Sequence, residues 1–175
     1  MNRIKFKYRL SQLLVPGLAL MCVVYFIASC TQERQPCLTP KIASLNIECV
    51  HYPSDTATTV LDTALPKAIF VALTDSGQRA VIYPQTANFT ISLSPVTDSC
   101  QWLMSTDSTT FPFNTLSFYY KRKLQFLSNA CGYTYFYSLD SVHFTHGQDI
   151  DSILITNSSV TNNVNTKHLK IYIRR

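Results

Sequence analysis

The stretch LSFYYKRKLQF, residues 116–126, decides the fold class of this 175-residue chain. Apolar and aromatic residues take every second position except 122, which is Arg, and the residues between them are mainly polar or charged. Side chains of an extended strand point alternately to the two faces of a sheet, so this spacing predicts a β-strand with one buried face. We expect the buried face to contain Leu116, Phe118, Tyr120, Leu124 and Phe126, and the other face Ser117, Tyr119, Lys121 and Lys123.

Strand patterns continue along most of the chain after residue 36. The segments 41–50, 88–94 and 167–175 alternate in the same way, whereas AIFVALT (68–74) and SILIT (152–156) are apolar with less alternation. The last two are predicted to be strands buried on both faces. No helical period longer than about two turns follows residue 30. The sequence therefore predicts an all-β protein, a single antiparallel β-sandwich of roughly eight to ten strands, immunoglobulin-like or jelly-roll-like.

The N-terminus has the three-part plan of a secretory signal. Four basic residues within positions 3–9 precede an apolar stretch over 10–27, which ends in IASC (27–30). These four residues match the bacterial lipobox, in which the cysteine receives diacylglycerol. An uncleaved transmembrane anchor is the alternative, because this mostly apolar stretch of 18 residues approaches the length that spans a bilayer. The cysteine favours a lipoprotein, so we predict a cleaved signal peptide (1–29), a lipid-anchored tether (30–36) and a β-sandwich domain (37–175).

Lipidation of Cys30 would place the protein in the cell envelope. Diacylglycerol on the sulfur and a fatty acid such as palmitate on the amine would anchor the chain, because each buried CH₂ contributes about 0.8 kcal/mol. The membrane is therefore the first predicted partner. The residues TQER that follow Cys30 lack the acidic cluster expected of surface-exported lipoproteins. We accordingly expect the protein at the outer membrane, facing the periplasm.

The net charge of +5 belongs to the leader and not to the domain. Without residues 1–29, eleven Lys and Arg remain against ten Asp and Glu, a net charge of +1. A basic surface for nucleic acid therefore loses its support, and no nucleic-acid partner is expected.

Four cysteines remain after Cys30, an even number that suits disulfides in an oxidising envelope. Zinc is the competing explanation, but there is no CxxC pair and the gaps are long, so neither a metal nor another cofactor is predicted. Three pairings are possible. We favour Cys37–Cys131, with Cys49–Cys100 as the remainder, because the first bridge would join the N-terminal edge of the domain to its most aromatic strand.

Three segments carry a family resemblance: FNTLSFYYKRK (113–123), LSNACGYTYFYSLD (127–140) and DIDSILITNSSV with KHLKIYI (149–173). Together they resemble small Bacteroidetes lipoproteins classed as a domain of unknown function, most strongly from Thr109 to Ile173. The resemblance implies an exported, lipid-anchored β-domain. It brings no catalytic residues.

Tyr133, Tyr135 and Tyr137 lie on one face of the predicted strand CGYTYFYSL (131–139). Tyrosine combines a flat apolar ring with a polar tip, so this row is a candidate binding face for sugar rings or a peptide. The alternative is a core face, which the shared parity of Cys131 and Leu139 favours.

Aspartates followed by Ser or Thr are frequent and indicate turns, where both side chains cap backbone amides. The same pairs look like the O-glycosylation pattern of exported Bacteroidetes proteins. Thr56 and Thr63 are the candidate acceptors, because they fall in 51–67, the predicted longest exposed loop.

No nucleophile elbow, phosphate-binding glycine loop or HExxH motif occurs in the chain. The leading hypothesis is a non-enzymatic, lipid-anchored binding or accessory module with an envelope protein or glycan as its partner. The alternative is a small envelope hydrolase whose site is assembled from scattered Asp, Ser and His. A cleft that holds such side chains within hydrogen-bond reach would favour the hydrolase.

Overall fold

A computed structural model describes residues 36–53, 58–74, 77–107, 113–145 and 149–174. The predicted signal peptide and most of the tether, including Cys30, lie outside these residues. The described residues from Cys37 onward form a compact unit. Its strands are β1 (Ser44–His51), β2 (Leu61–Asp62), β3 (Leu65–Thr74), β4 (Gly77–Thr86), β5 (Asn88–Ser92), β6 (Ser99–Ser105), β7 (Asn114–Ser128), β8 (Gly132–Phe144), β9 (Ile150–Ile155), β10 (Ser159–Val160) and β11 (Leu169–Ile173).

The strands form two sheets, which confirms the predicted β-sandwich. The first sheet has the order β2-β1-β11-β9, with β5 also paired to β1, and the second has the order β10-β8-β7-β6-β3-β4. One pair departs from the predicted antiparallel arrangement, because β1 and β11 run parallel. The last strand of the domain thus enters the first sheet between β1 and β9. The described residues contain no helix long and apolar enough to cross a membrane.

The core lies between the inner faces of the two sheets. From β7 it receives Leu116, Phe118 and Tyr120, as the alternation predicts. Phe70 of β3 and Phe89 of β5 meet across the core with ring centroids 5.2 Å apart. The first sheet contributes mainly aliphatic side chains, namely Leu45, Ile47, Ile91, Leu169 and Ile171.

The two segments predicted to be buried on both faces differ. AIFVALT forms most of β3, where Phe70 on the inner face and Val71 on the outer face are both buried, because β3 has a neighbour on each side. SILIT lies in β9, where Leu154 is exposed and Ile153 is only partly buried. That prediction is wrong for β9, because β9 is an edge strand of the first sheet.

A buried polar cluster joins β1 to the turn before β11. The backbone N–H of Asn46 donates to Nδ1 of His168 at 3.0 Å, and the backbone N–H of His168 donates to the Asn46 carbonyl at 3.0 Å. The Asn46 side-chain amide donates to the carbonyls of Val164 and Thr166. His168 is fully buried, and its burial lowers the pKa of the imidazole, with the backbone of Ser159 opposing the shift. Nδ1 accepts a hydrogen bond, so the folded state holds the neutral ring.

This neutral histidine predicts that acid weakens the fold. The folded-state pKa of His168 lies below its ordinary value near 6.5, so the unfolded chain binds more protons as the pH falls through that value. Stability conferred by His168 is therefore complete above about pH 6.5 and is lost below it, by at most about 1.4 kcal/mol per pH unit. Urea titrations between pH 8 and pH 5 measure this loss.

His168→Asn is the matched control, because its Oδ1 keeps an acceptor for the Asn46 N–H. The variant should lose less stability than the wild type between pH 7.5 and pH 5. Equal losses would show that His168 is not the titrating group.

Candidate functional site

The predicted tyrosine face is divided by the structure into an exposed part and a buried part. Tyr133 is 65% exposed and Tyr135 is 36% exposed, whereas Tyr137 is only 8% exposed. Tyr137 packs edge-to-face on Tyr120 in the core, with ring centroids 5.3 Å apart. Tyr137 is therefore a core residue, and only Tyr133 and Tyr135 can meet a ligand.

The division follows from strand length. β7 has 15 residues and is about 50 Å long, whereas the longest strand of the opposite sheet, β1, has 8 residues and is about 26 Å long. The outer halves of β7 and β8 extend beyond the opposite sheet. Leu124 and Phe126, predicted to be buried, are consequently exposed, so that prediction is wrong for these two residues.

These exposed side chains form one surface. Leu124 pairs with Tyr135 and Phe126 with Tyr133 across the two strands, and directly paired residues share a face. The rings of Phe126 and Tyr133 lie 5.1 Å apart between centroids. We call the surface made by Leu124, Phe126, Tyr133 and Tyr135 the hairpin face.

The end of this hairpin is fixed by local chemistry and by a covalent bond. Gly132 has a φ of +72°, the left-handed region that glycine favours, and the N–H of Cys131 donates to Oγ of Ser128 at 3.0 Å. Cys131 forms a disulfide with Cys37, as predicted. The first residues of the domain are thus held at the tip of the hairpin.

A short segment, Cys37–Ala43, leads from the disulfide to β1. The hydroxyl of Thr134 donates to the carbonyl of Lys41, and the side-chain amide of Asn162 donates to the carbonyl of Pro40 at 3.2 Å. Between this segment, Pro95 and the tyrosines lies a groove of about 370 Å³. Leu38 and Ile42 in the segment are exposed, so they extend the apolar surface at this end of the domain.

The basic triplet 121–123 is split between the two faces of β7. Lys121 and Lys123 are exposed, on the face opposite the hairpin face. Arg122 is half-buried, and its Nε donates to Asp98 at 2.6 Å while Nη1 donates to the Pro95 carbonyl at 2.7 Å. Arg122 therefore ties the 94–98 loop to the hairpin where the core ends.

A second concave surface opens between the edge strands β4 and β5. It is a cleft of about 550 Å³, with Trp102, Ile91 and Leu93 among its buried lining residues. One end is closed where the hydroxyl of Tyr83 donates to the carbonyl of Thr90. We call this space the Trp102 cleft.

The Trp102 cleft contains a cation on an otherwise apolar face. In the β3–β4 ladder, Arg79 pairs with Ala72 and Val81 pairs with Phe70. Because Phe70 faces the core, Val81 and Arg79 lie on the inner face of β4. It is exposed at the cleft and makes no ion pair with any described residue. An apolar floor beside a single cation suits an anionic amphipathic ligand.

The second predicted disulfide is absent, because Cys49 and Cys100 are free thiols. Cys49 lies on β1 in the first sheet and Cys100 on β6 in the second. Packed sheets are separated by about 10 Å, whereas a disulfide joins Cα atoms about 4.4–6.8 Å apart. Burial raises the pKa of Cys49 to about 12 and also raises that of Cys100, so both thiols stay protonated at neutral pH.

The described histidines do not assemble a hydrolytic site. His51 accepts or donates a hydrogen bond with the hydroxyl of Thr63 at 2.7 Å, but His51 is buried away from both concave surfaces. His143 packs edge-to-face on Tyr119. Neither aspartate nor histidine is among the described residues that line the Trp102 cleft, and no described group of three His, Cys, Asp or Glu is placed to hold a metal ion.

The candidate glycosylation residues have different outcomes. Thr56 lies outside the described residues. Thr63 follows β2, is partly buried and bonds His51, so its predicted position in an exposed loop is wrong. Its hydroxyl already has a partner within the domain.

The fold and its two surfaces define a small β-sandwich domain with an apolar hairpin face and an open cleft between its sheets. The chain belongs to the family of unknown function DUF6452, which matches residues 68–173, more than half of its length. That match covers β4, the Trp102 cleft and the whole β7–β8 hairpin. Searches of curated proteins and of solved structures found nothing that matches the chain.

Sequence reasoning missed the Trp102 cleft. A signal was present in QRAVIYP (78–84), where Arg79 occupies the same parity as Val81 and Tyr83. A cation on the inner parity of a strand indicates that the core ends there or that a ligand approaches.

Proposed function

We propose that the protein is a non-enzymatic binding module, anchored in the cell envelope by lipid on Cys30, that takes an anionic amphipathic ligand in the Trp102 cleft. The observation that carries the proposal is Arg79, which is exposed above an apolar floor and makes no ion pair with any described residue. Ligand sites are typically apolar clefts of about 300–1,000 Å³ with a few placed polar groups. The cleft has that size and that chemistry.

Anchoring rests on the lipobox IASC and on the basic leader before it. The outer membrane, with the domain facing the periplasm, is the proposed location, because TQER after Cys30 carries no acidic cluster. The ligand would then be an acidic lipid, glycan or envelope protein segment. Each of these ligands has a negative group beside an apolar or flat surface. Arg79 would bind the negative group, and Trp102 would contact the apolar or flat surface.

Site-specific photocrosslinking in living cells tests the binding proposal. A photoreactive residue replaces Val81, which lines the cleft on the inner face of β4, and a matched variant carries it at Ile82, an exposed residue on the opposite face of β4. The Val81 position should give a defined adduct, which should weaken when Arg79 is also changed to Gln. Adducts of equal pattern and strength from both positions, or no adduct at Val81, would contradict ligand binding in the cleft.

A further inference from the structure

Six exposed apolar or aromatic side chains gather at one end of the domain, around the Cys37–Cys131 disulfide. Four form the hairpin face, and the other two, Leu38 and Ile42, belong to the Cys37–Ala43 segment. Ile42, Tyr133 and Tyr135 line the same groove. A monomeric domain gains nothing from leaving this surface in water, so a contiguous apolar patch of this kind marks a contact surface.

One unpaired cation lies beside this apolar surface. Lys41, in the Cys37–Ala43 segment, is exposed, lines the same groove as Tyr133 and Tyr135, and forms no ion pair with a described residue. Lys121 and Lys123 lie on the opposite face of β7, and Arg122 is neutralised by Asp98. An apolar surface beside a free cation complements anionic lipid headgroups, where a cation contributes about 1 kcal/mol.

The short distance along the chain between this end and Cys30 indicates that its partner is the membrane. Seven residue steps separate Cys30 from Cys37, and they span at most about 25 Å when fully extended. The disulfide makes Cys37 part of the hairpin tip. Lipid on Cys30 would therefore hold the hairpin tip within about 25 Å of the bilayer, whatever the path of the tether.

We propose that the hairpin face lies on the surface of the bilayer that holds the lipid of Cys30, with its aromatic rings among the headgroups and Lys41 on anionic lipid. Tyrosine suits this depth, because it is enriched at the boundary between hydrocarbon and water. The inference rests on the proposed lipid anchor. It adds a fixed orientation, because lipid and hairpin together give two separate contacts with the membrane.

Tryptophan fluorescence tests this orientation in the mature, lipidated protein. The chain has one tryptophan, the buried Trp102, so the Trp102→Phe variant has no tryptophan fluorescence. In that background Tyr133→Trp places a probe on the hairpin face. Tyr119→Trp places a control on the opposite face of β7, about 23 Å further along the strand than Phe126. Both replaced tyrosines are exposed, so neither change removes core packing.

The proteins are reconstituted in vesicles of phosphatidylcholine and phosphatidylglycerol, with and without brominated acyl chains. The Tyr133→Trp emission should shift to shorter wavelength and be quenched by the brominated chains, more strongly as phosphatidylglycerol increases, while the Tyr119→Trp emission should do neither. Intact mass of the same samples reports the lipid on Cys30. Lipidated protein without quenching of Tyr133→Trp overturns the membrane-facing orientation and leaves the proposed function intact. Protein without lipid on Cys30 overturns both.

Discussion

Replacing both Cys37 and Cys131 with serine is expected to lower the free energy of unfolding by about 4 kcal/mol. The bridge spans 94 positions, so it removes much conformational freedom from the unfolded chain. For a domain of this size the midpoint of thermal unfolding should fall by roughly 10–20 °C. Differential scanning calorimetry of the mature protein measures the shift.

Reductant supplies the control for this disulfide. Dithiothreitol should lower the unfolding temperature of the wild type to that of the double variant and leave the double variant unchanged. Iodoacetamide added to the denatured, unreduced wild type should modify two thiols, Cys49 and Cys100. Modification of no thiol would show a second bridge, and a double variant as stable as the wild type would show that the hairpin tip does not need its covalent link.

Phe118→Ala is expected to cost about 3–5 kcal/mol, because it leaves a cavity where Phe118 is fully buried between the sheets. Phe126→Ala is the matched control, with the same substitution on the same strand and the same parity, eight residues later. Phe126 is 46% exposed and its ring contacts Tyr133, so its loss should cost less than about 1 kcal/mol. Urea titrations followed by circular dichroism compare the two variants.

This pair of variants decides whether the outer half of β7 is surface or core. A cost for Phe126→Ala as large as that for Phe118→Ala would mean that the hairpin face is covered within the domain. A small cost with a reduced membrane contact would mean that Phe126 serves binding and not folding.

In β7, the alternation of residues predicts which face each side chain lies on, but it does not predict whether that face is covered. Period-two spacing correctly places Leu116, Phe118 and Tyr120 on the inner face. It also places Leu124 and Phe126 there, but parity says nothing of where the opposite sheet ends. Arg122 occupies the inner parity between the two groups and is the residue at which the core stops.

Arg79 conveys the same information on β4. Like Arg122, it lies on the inner parity of its strand, where Val81 and Tyr83 are partly buried, and it marks the Trp102 cleft, where the two sheets separate at their edges. In both strands a cation interrupts an apolar row at a border of the core. A cation within an apolar row of a strand therefore predicts a border of the core, and this rule locates both the Trp102 cleft and the hairpin face from the sequence.

The cysteines show a different limit. The Cys37–Cys131 pair was predictable because it ties a strand end to the start of the domain. The separation of Cys49 and Cys100 depends on which sheet each strand joins, a long-range property that local spacing does not encode. Likewise, the insertion of β11 parallel to β1 is decided by tertiary pairing between the two ends of the domain.

The proposed lipid anchor underlies both the proposed location and the proposed orientation of this domain, and the mass of the mature protein tests it most directly. Protein extracted from the envelope of cells that express the full chain should begin at Cys30, with residues 1–29 removed, and should carry diacylglycerol on the sulfur and an acyl chain on the amine. Cys30→Ser should abolish both the lipid and the membrane association. An unmodified Cys30, or a wild-type protein that keeps residues 1–29, would contradict lipid anchoring.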